Sequence, residues 1–193
     1  MFQGSSFNAG QQLIPKLPAF FLIFGKLSLL NNALIMTPDK IEILDCDFEN
    51  TSHCAALISL MNEYISDNMG DGIPYTEQQK KMLVEGLRDH PSKLVLLLKI
   101  DDRFVGLVNC FVNFATFTVR PFINIHDVIV THERRNQGLG RLMIQKVIER
   151  ASEMGCSKVT LEVREDNHNA KYLYNSLGFS DANPRQYYWA KYL

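Results

Sequence analysis

The chain lacks an excess of either charge: 20 Lys and Arg stand against 21 Asp and Glu, a formal net charge of −1. Such a balance gives no electrostatic footprint for nucleic acid or an anionic membrane as the main partner. Cysteine is scarce, and Cys46, Cys54, Cys110 and Cys156 form no C-x-x-C pair. They read as free thiols in a reducing, cytoplasmic compartment, not as a disulfide or zinc framework. His53, His90, His132 and His168 are dispersed and share no metal-ligand spacing. No apolar run is long enough to span a bilayer: Ala19-Phe20-Phe21-Leu22-Ile23-Phe24 stops at Gly25-Lys26. There is no internal repeat and no low-complexity tract. What is present, 193 residues with 46% hydrophobic and 21% charged side chains, suits one globular domain with an appendage.

Residues 1–36 are that appendage. They contain no Asp or Glu and carry only Lys16 and Lys26 as charges. The late first basic residue argues against a secretory signal. The segment reads as a variable extension, or as the product of a start codon upstream of Met36, and stable membrane insertion is not expected. From Thr37 to residue 193 the pattern becomes that of a domain. Lys40-Ile41-Glu42-Ile43-Leu44 alternates as a strand does, and Leu57, Leu60, Met61, Tyr64 and Ile65 form a helical stripe. Thr76 with Gln79 is a capping-box pattern that opens a second helix. Leu94 to Ile100 and Phe104 to Phe114 flank Asp101-Asp102 as a hairpin, and Ile123 to Val130 is the next strand. A helix follows from Gly138 to a C′ glycine at Gly155, then a strand over Lys158 to Val163. A short helix over Asn169 to Leu177 and a terminal strand over Tyr187 to Tyr192 complete the order. This is an α/β (mixed α+β) pattern, a mixed sheet with helices on its faces.

The chemistry concentrates at Arg134-Arg135-Asn136-Gln137-Gly138-Leu139-Gly140. A strand, a basic turn with two glycines and a helix start together make an anion cradle. The glycines admit close backbone approach, and the first helical turn carries unpaired N–H groups and partial positive charge. A P-loop is excluded, because no G-x-x-x-x-G-K-S/T run exists. The dinucleotide fingerprint G-x-G-x-x-G fails at its third glycine, where Met143 stands.

Arg135-x-x-Gly138-x-Gly140 resembles the acyl-CoA-binding motif R/Q-x-x-G-x-G/A of the GNAT family of N-acetyltransferases. Downstream, Asn167-x-x-Ala170-x-x-Leu173-Tyr174-x-x-Leu177-Gly178-Phe179 resembles the second signature of that family. The resemblance covers roughly residues 40 to 193, with one helix and one strand between the signatures. It implies the acyl-CoA N-acyltransferase fold, a central twisted mixed sheet flanked by about four helices. It implies acetyl-CoA as co-substrate, no metal, and transfer of an acetyl group to a primary amine of a small molecule or peptide by direct attack. An acyl-CoA-binding sensor or interaction module without catalysis is the alternative, distinguished by binding without turnover.

The resemblance also implies roles by position. The amides of Arg135, Asn136, Gln137, Gly138, Leu139 and Gly140, with Arg141 alongside, would hold the CoA pyrophosphate. Val128, Ile129 and Val130 would pair through their backbone with the pantetheine arm, in a sheet that splays open. Asn167 would stand near the pantetheine, although a helix N-cap explains the same residue. Tyr174 would be the general acid that protonates the departing thiolate, since phenol and thiol ordinarily titrate near one another. The general base would lie on the central strand. His126 is the candidate, because it shares strand parity with Val128 and Val130, whereas Asp127 points to the other face. Glu162 is a weaker candidate. Acceptor contacts are expected from residues 64–75 and 116–124, with Asp67 and Asp71 as partners for a cationic amine. Residues 1–36 and the terminal strand are the candidates for a homodimer contact.

Overall fold

The computed structural model describes residues 26–30, 33–37, 39–67, 70 and 72–193, with side chains from residue 39 onward. By internal packing the chain divides into residues 1–39 and 40–193. In the first unit, β1 (Lys26–Leu30) and β2 (Ala33–Thr37) pair antiparallel, Lys26 opposite Thr37. The apolar stretch Ala19 to Phe24 lies outside the described residues.

The second unit carries β3 (Ile41–Asp45), α1 (Thr51–Ser66), α2 (Glu77–Asp89), β4 (Lys93–Ile100), β5 (Arg103–Ala115), β6 (Arg120–Val130), α3 (Leu139–Glu153), β7 (Val159–Leu161) and α4 (His168–Asn175). Its five strands lie in the order β3-β4-β5-β6-β7. All neighbours are antiparallel except β6 and β7, which run parallel. The expected mixed sheet with helices is the architecture observed.

Local chemistry explains the ends of these elements. The Asn50 side chain caps α1, accepting from the N–H groups of Ser52 at 2.9 Å and His53 at 3.4 Å. The capping box of α2 is formed in both directions: Gln79 N–H donates to Thr76 Oγ1 at 3.3 Å, and Thr76 N–H to Gln79 Oε1 at 2.9 Å. Asp101, at φ 52, makes the tight β4–β5 turn. Gly155, at φ 66, closes α3.

The core forms on both faces of the sheet. On one face α1 and α2 lay Leu57, Leu60, Met61 and Leu87 over Val95, Leu97, Leu107 and Ile129. Alternation along β5 turns Gly106 and Val108 to the opposite face. There α3 packs so closely that a Cβ at Gly106 would lie 2.9 Å from Met143 Sδ. The same Cβ would lie 3.0 Å from the Ile129 carbonyl, so a side chain at position 106 would have to displace both Met143 and the β6 backbone.

Two expectations from sequence are corrected. Residues 187–192 form no strand; Trp189 is 88% exposed and Tyr192 94% exposed. Alternating aromatics supply strand propensity, but no neighbouring strand pairs with them, and propensity alone does not hold a strand. The strand expected over residues 158–163 covers only Val159–Leu161. Its early end opens the sheet beside β6.

Candidate active site

β7 pairs with β6 over three positions, the last being Ile125 opposite Leu161, while β6 continues to Val130. Beyond Ile125 the two segments diverge around a cleft of about 280 Å³. One wall is Ile125, His126 and Val128 to Val130; the other is Leu161 to Arg164. Asn167, Ala170, Leu173 and Tyr174 of the α4 region close one side, and Tyr64, Asp67, Arg135 and Gly140 complete the lining.

The hydrogen-bond direction along β6 follows from one contact. Thr131 N–H donates to Val105 O at 2.8 Å. In an antiparallel ladder residues two apart bond in the same direction, so Ile129 turns its backbone toward β5. Val128 and Val130 then turn theirs away from β5, to the cleft side. The Val130 carbonyl is engaged there, accepting from Arg135 Nε at 3.0 Å. Ile129 contributes shape only: its side chain is 2% exposed and belongs to the core.

A β-bulge sets the position of His126. Asn109 pairs with Asp127, but the next residue, Cys110, pairs with Ile125, so His126 has no partner on β5. This corrects the parity expected from sequence, because the extra residue breaks the alternation. Asp127 and Ile125 come to lie on opposite faces, and His126 lies on the Asp127 side. Its ring meets Phe111 edge-on at 5.5 Å, and its Nδ1 is 4.0 Å from Asp127 Oδ2, too far for a hydrogen bond. The His126 side chain is 62% exposed and lines the cleft. Asp127 does not line it; its carboxylate accepts from the buried Asn109 Nδ2 at 2.9 Å.

The turn between β6 and α3 stands at one end of the cleft. Asn136, at φ 61, and Gly138, at φ 79, both occupy the left-handed region, and Gly138 is the N-cap of α3. The first helical bond runs from Leu142 N–H to Gly138 O at 3.1 Å. The N–H groups of Leu139, Gly140 and Arg141 therefore precede any helical partner and face outward from the helix start. A Cβ at Gly140 would lie 3.4 Å from Leu173 Cδ2, so α3 and α4 approach closely at the cleft. The buried Leu139 side chain anchors the turn. Gln137 Nε2 donates to Glu133 O at 3.4 Å, and its buried Oε1 has no partner among the described residues.

Arg135 of the motif and the adjacent Arg141 direct their guanidiniums to the protein. Arg135 Nη1 pairs with Asp67 Oδ2 at 2.8 Å. Arg141 Nη2 donates to Ser176 Oγ at 2.5 Å, tying α3 to the end of α4. Asp67 is therefore neutralised by Arg135 and does not present an uncompensated charge to a cationic acceptor. Asp71 lies outside the described residues, and none of residues 116–124 lines the cleft.

Tyr174 has its ring 5.9 Å from Phe179 of the same signature. Burial, with a smaller contribution from Tyr64, pushes its phenol up to about 12, so it stays protonated. Asn167 is the N-cap of α4, its Oδ1 accepting from Ala170 N–H at 3.1 Å. The capping role is thus present. No cysteine lines the cleft, and burial pushes the thiols of Cys46 and Cys110 up to about 12.

Of the residues predicted from sequence, Tyr64, Asp67, His126, Val128, Ile129, Val130, Arg135, Gly140, Glu162, Asn167 and Tyr174 line one cleft. Asn136, Gln137, Gly138, Leu139 and Arg141 build the turn beside it. Sequence reasoning missed Arg164 in the wall and Glu63 behind the turn. The signal for Glu63 was its position, an acid near the C-terminal end of a helix, where the dipole disfavours it. Among the described residues no group of three or more His, Cys, Asp and Glu could hold a metal ion, and no helix is long and apolar enough to cross a membrane.

Residues 57–179 match the sequence profile of the acetyltransferase (GNAT) family. The chain is 41% identical over 137 residues to the thialysine N-epsilon-acetyltransferase of Sus scrofa, covering 66% of this chain and 79% of that protein. It is 35% identical over 65 residues to the ribosomal protein bS18-alanine N-acetyltransferase of Escherichia coli K12, covering 34% of this chain and 44% of that enzyme. An aminoglycoside acetyltransferase from an uncultured soil metagenomic sample, solved in complex with sisomicin, shares the fold. Its TM-score is 0.64 at 17% identity, over 78% of this chain and 97% of that one.

Proposed function

The chain belongs to the GNAT acetyltransferase family and is an N-acetyltransferase; from that premise we propose that it transfers acetyl from acetyl-CoA to a primary amine by direct attack in the β6–β7 cleft. The observation that carries this reading is the splay of the two strands. It leaves the backbone of Val128 and Val130 facing a cleft that begins at a helix N-terminus and runs to a buried phenol.

The residues present fit the donor. The N–H groups from Gly138 to Arg141 are suited to a pyrophosphate. Asn167 Nδ2 and the backbone of Val128 are suited to the pantetheine amides. The donor supplies an activated acyl thioester. The N–H of Val128 stabilises negative charge on the carbonyl oxygen as it develops. His126, set into the cleft by its bulge, accepts the proton of the attacking amine.

Tyr174 Oη donates to the departing sulfur. Its raised pKa of about 12 widens the gap from an ordinary thiol. However, the burial that disfavours a phenolate also disfavours a thiolate in the same cleft, which narrows the gap again. With no thiol in the cleft, direct attack is preferred to a covalent enzyme intermediate.

The relatives named above act on a lysine analogue and on a ribosomal protein alanine. We infer a small-molecule or peptide amine as acceptor here. A thiol-specific reagent monitors CoA release while amines of both kinds are offered with acetyl-CoA. Turnover with at least one of them is expected; binding without turnover across the panel would count against catalysis.

A further inference from the structure

Glu63 lies in the last turns of α1 and Asp67 is its C-cap. This is the negative end of the helix dipole, and the last turn carries no basic residue to offset them. Both acids are occupied, and both by the segment between β6 and α3. The Glu63 carboxylate accepts from Thr131 Oγ1 at 2.9 and 2.8 Å and from His132 N–H at 2.7 Å. Asp67 holds Arg135 at 2.8 Å, and the same guanidinium reaches the Val130 carbonyl at 3.0 Å. Helix α1 thus grips Thr131, His132 and Arg135, the stretch that leads into Gly138.

We propose that Glu63 and Asp67 are positioning residues for the phosphate-binding turn. The proposal rests on the acetyl-CoA reading above. A single 3-10 turn over His132–Arg134 is bonded from within, Arg134 N–H to Thr131 O at 2.9 Å and Arg135 N–H to His132 O at 3.3 Å. The residues that follow it, with Asn136 and Gly138 both left-handed, precede the first bond of α3, so their position follows from where that turn is held. The two carboxylates fix it from outside. They set where the N–H groups of Gly138 to Arg141 stand by holding Thr131, His132 and Arg135. Because Asp67 balances its charge, Arg135 supplies geometry to the site more than positive potential. Asp67 also ends the helix from which the acceptor-side loop departs, so one residue joins the two sides of the cleft.

Isothermal titration with CoA and with ADP tests this, since ADP carries the 5′-pyrophosphate without the pantetheine arm. Asp67→Asn and Glu63→Gln are each expected to weaken both probes on the order of tenfold, the scale of one charge-assisted hydrogen bond. Asp67→Glu keeps the carboxylate and is expected to bind close to wild type, a rescue that a general packing role would not give. Glu63→Gln leaves the Arg135 pair intact and tests the same turn independently. Unchanged affinity for both probes would overturn the proposal, as would a loss for CoA with none for ADP. Failure of the wild-type chain to bind CoA would overturn the donor reading and this proposal together. Wild-type binding with unaffected variants overturns this proposal alone.

Discussion

Tyr174→Phe is expected to lower kcat by about a hundredfold or more, the usual range for removing a general acid. Affinity for acetyl-CoA should change little. The ring stays in place against Phe179, so the cleft keeps its shape and only the proton is lost. An interaction made only as the thiolate departs affects kcat, not ground-state binding. The same assignment fixes the expected pH dependence. The protonated form does the work, and it is lost only as pH rises through about 12. Wild-type kcat should therefore show no alkaline decline from this group near pH 9. Single-turnover kinetics with the amine found by thiol release measures both quantities. Equal kcat in Tyr174→Phe and wild type would remove the acid role.

Gly138→Val is expected to weaken CoA by about a hundredfold, equivalent to two charge-assisted hydrogen bonds at roughly 1.5 kcal/mol each. Gly138 sits at φ 79, where a β-branched side chain is a steric outlier. The turn must leave the left-handed region, and the N–H groups that follow lose their common aim. Gly140→Ala is the control. Its new methyl group would meet only Leu173 Cδ2 at 3.4 Å, which is near ordinary contact. Affinity within a few-fold of wild type is expected there. If the two substitutions weaken CoA equally, backbone conformation at position 138 is not what holds the phosphate.

The contrast between these glycines shows what was legible in the sequence. Motif spacing identified Gly138, Gly140, Asn167 and Tyr174, because each sits at a fixed offset within one helix or turn. The capping box at Thr76 and Gln79 was legible for the same reason: both partners lie in one helical turn. The bulge at His126 was not, because it is a property of the pairing between β5 and β6, and neither strand alone records the register shift. The Arg135–Asp67 and Thr131–Glu63 contacts join residues far apart in the chain, so only tertiary structure reveals them. The aromatic run at residues 187–192 misled in the opposite direction: alternation supplied the propensity, but no strand pairs with it.

The central claim is that the turn at Gly138 and the backbone of β6 hold acetyl-CoA. Isothermal titration of the full chain with acetyl-CoA tests it most directly. Saturable binding at one site per chain, with a dissociation constant in the micromolar range or below and a marked loss in Gly138→Val, is the predicted result. No saturable heat at high micromolar acetyl-CoA would contradict it.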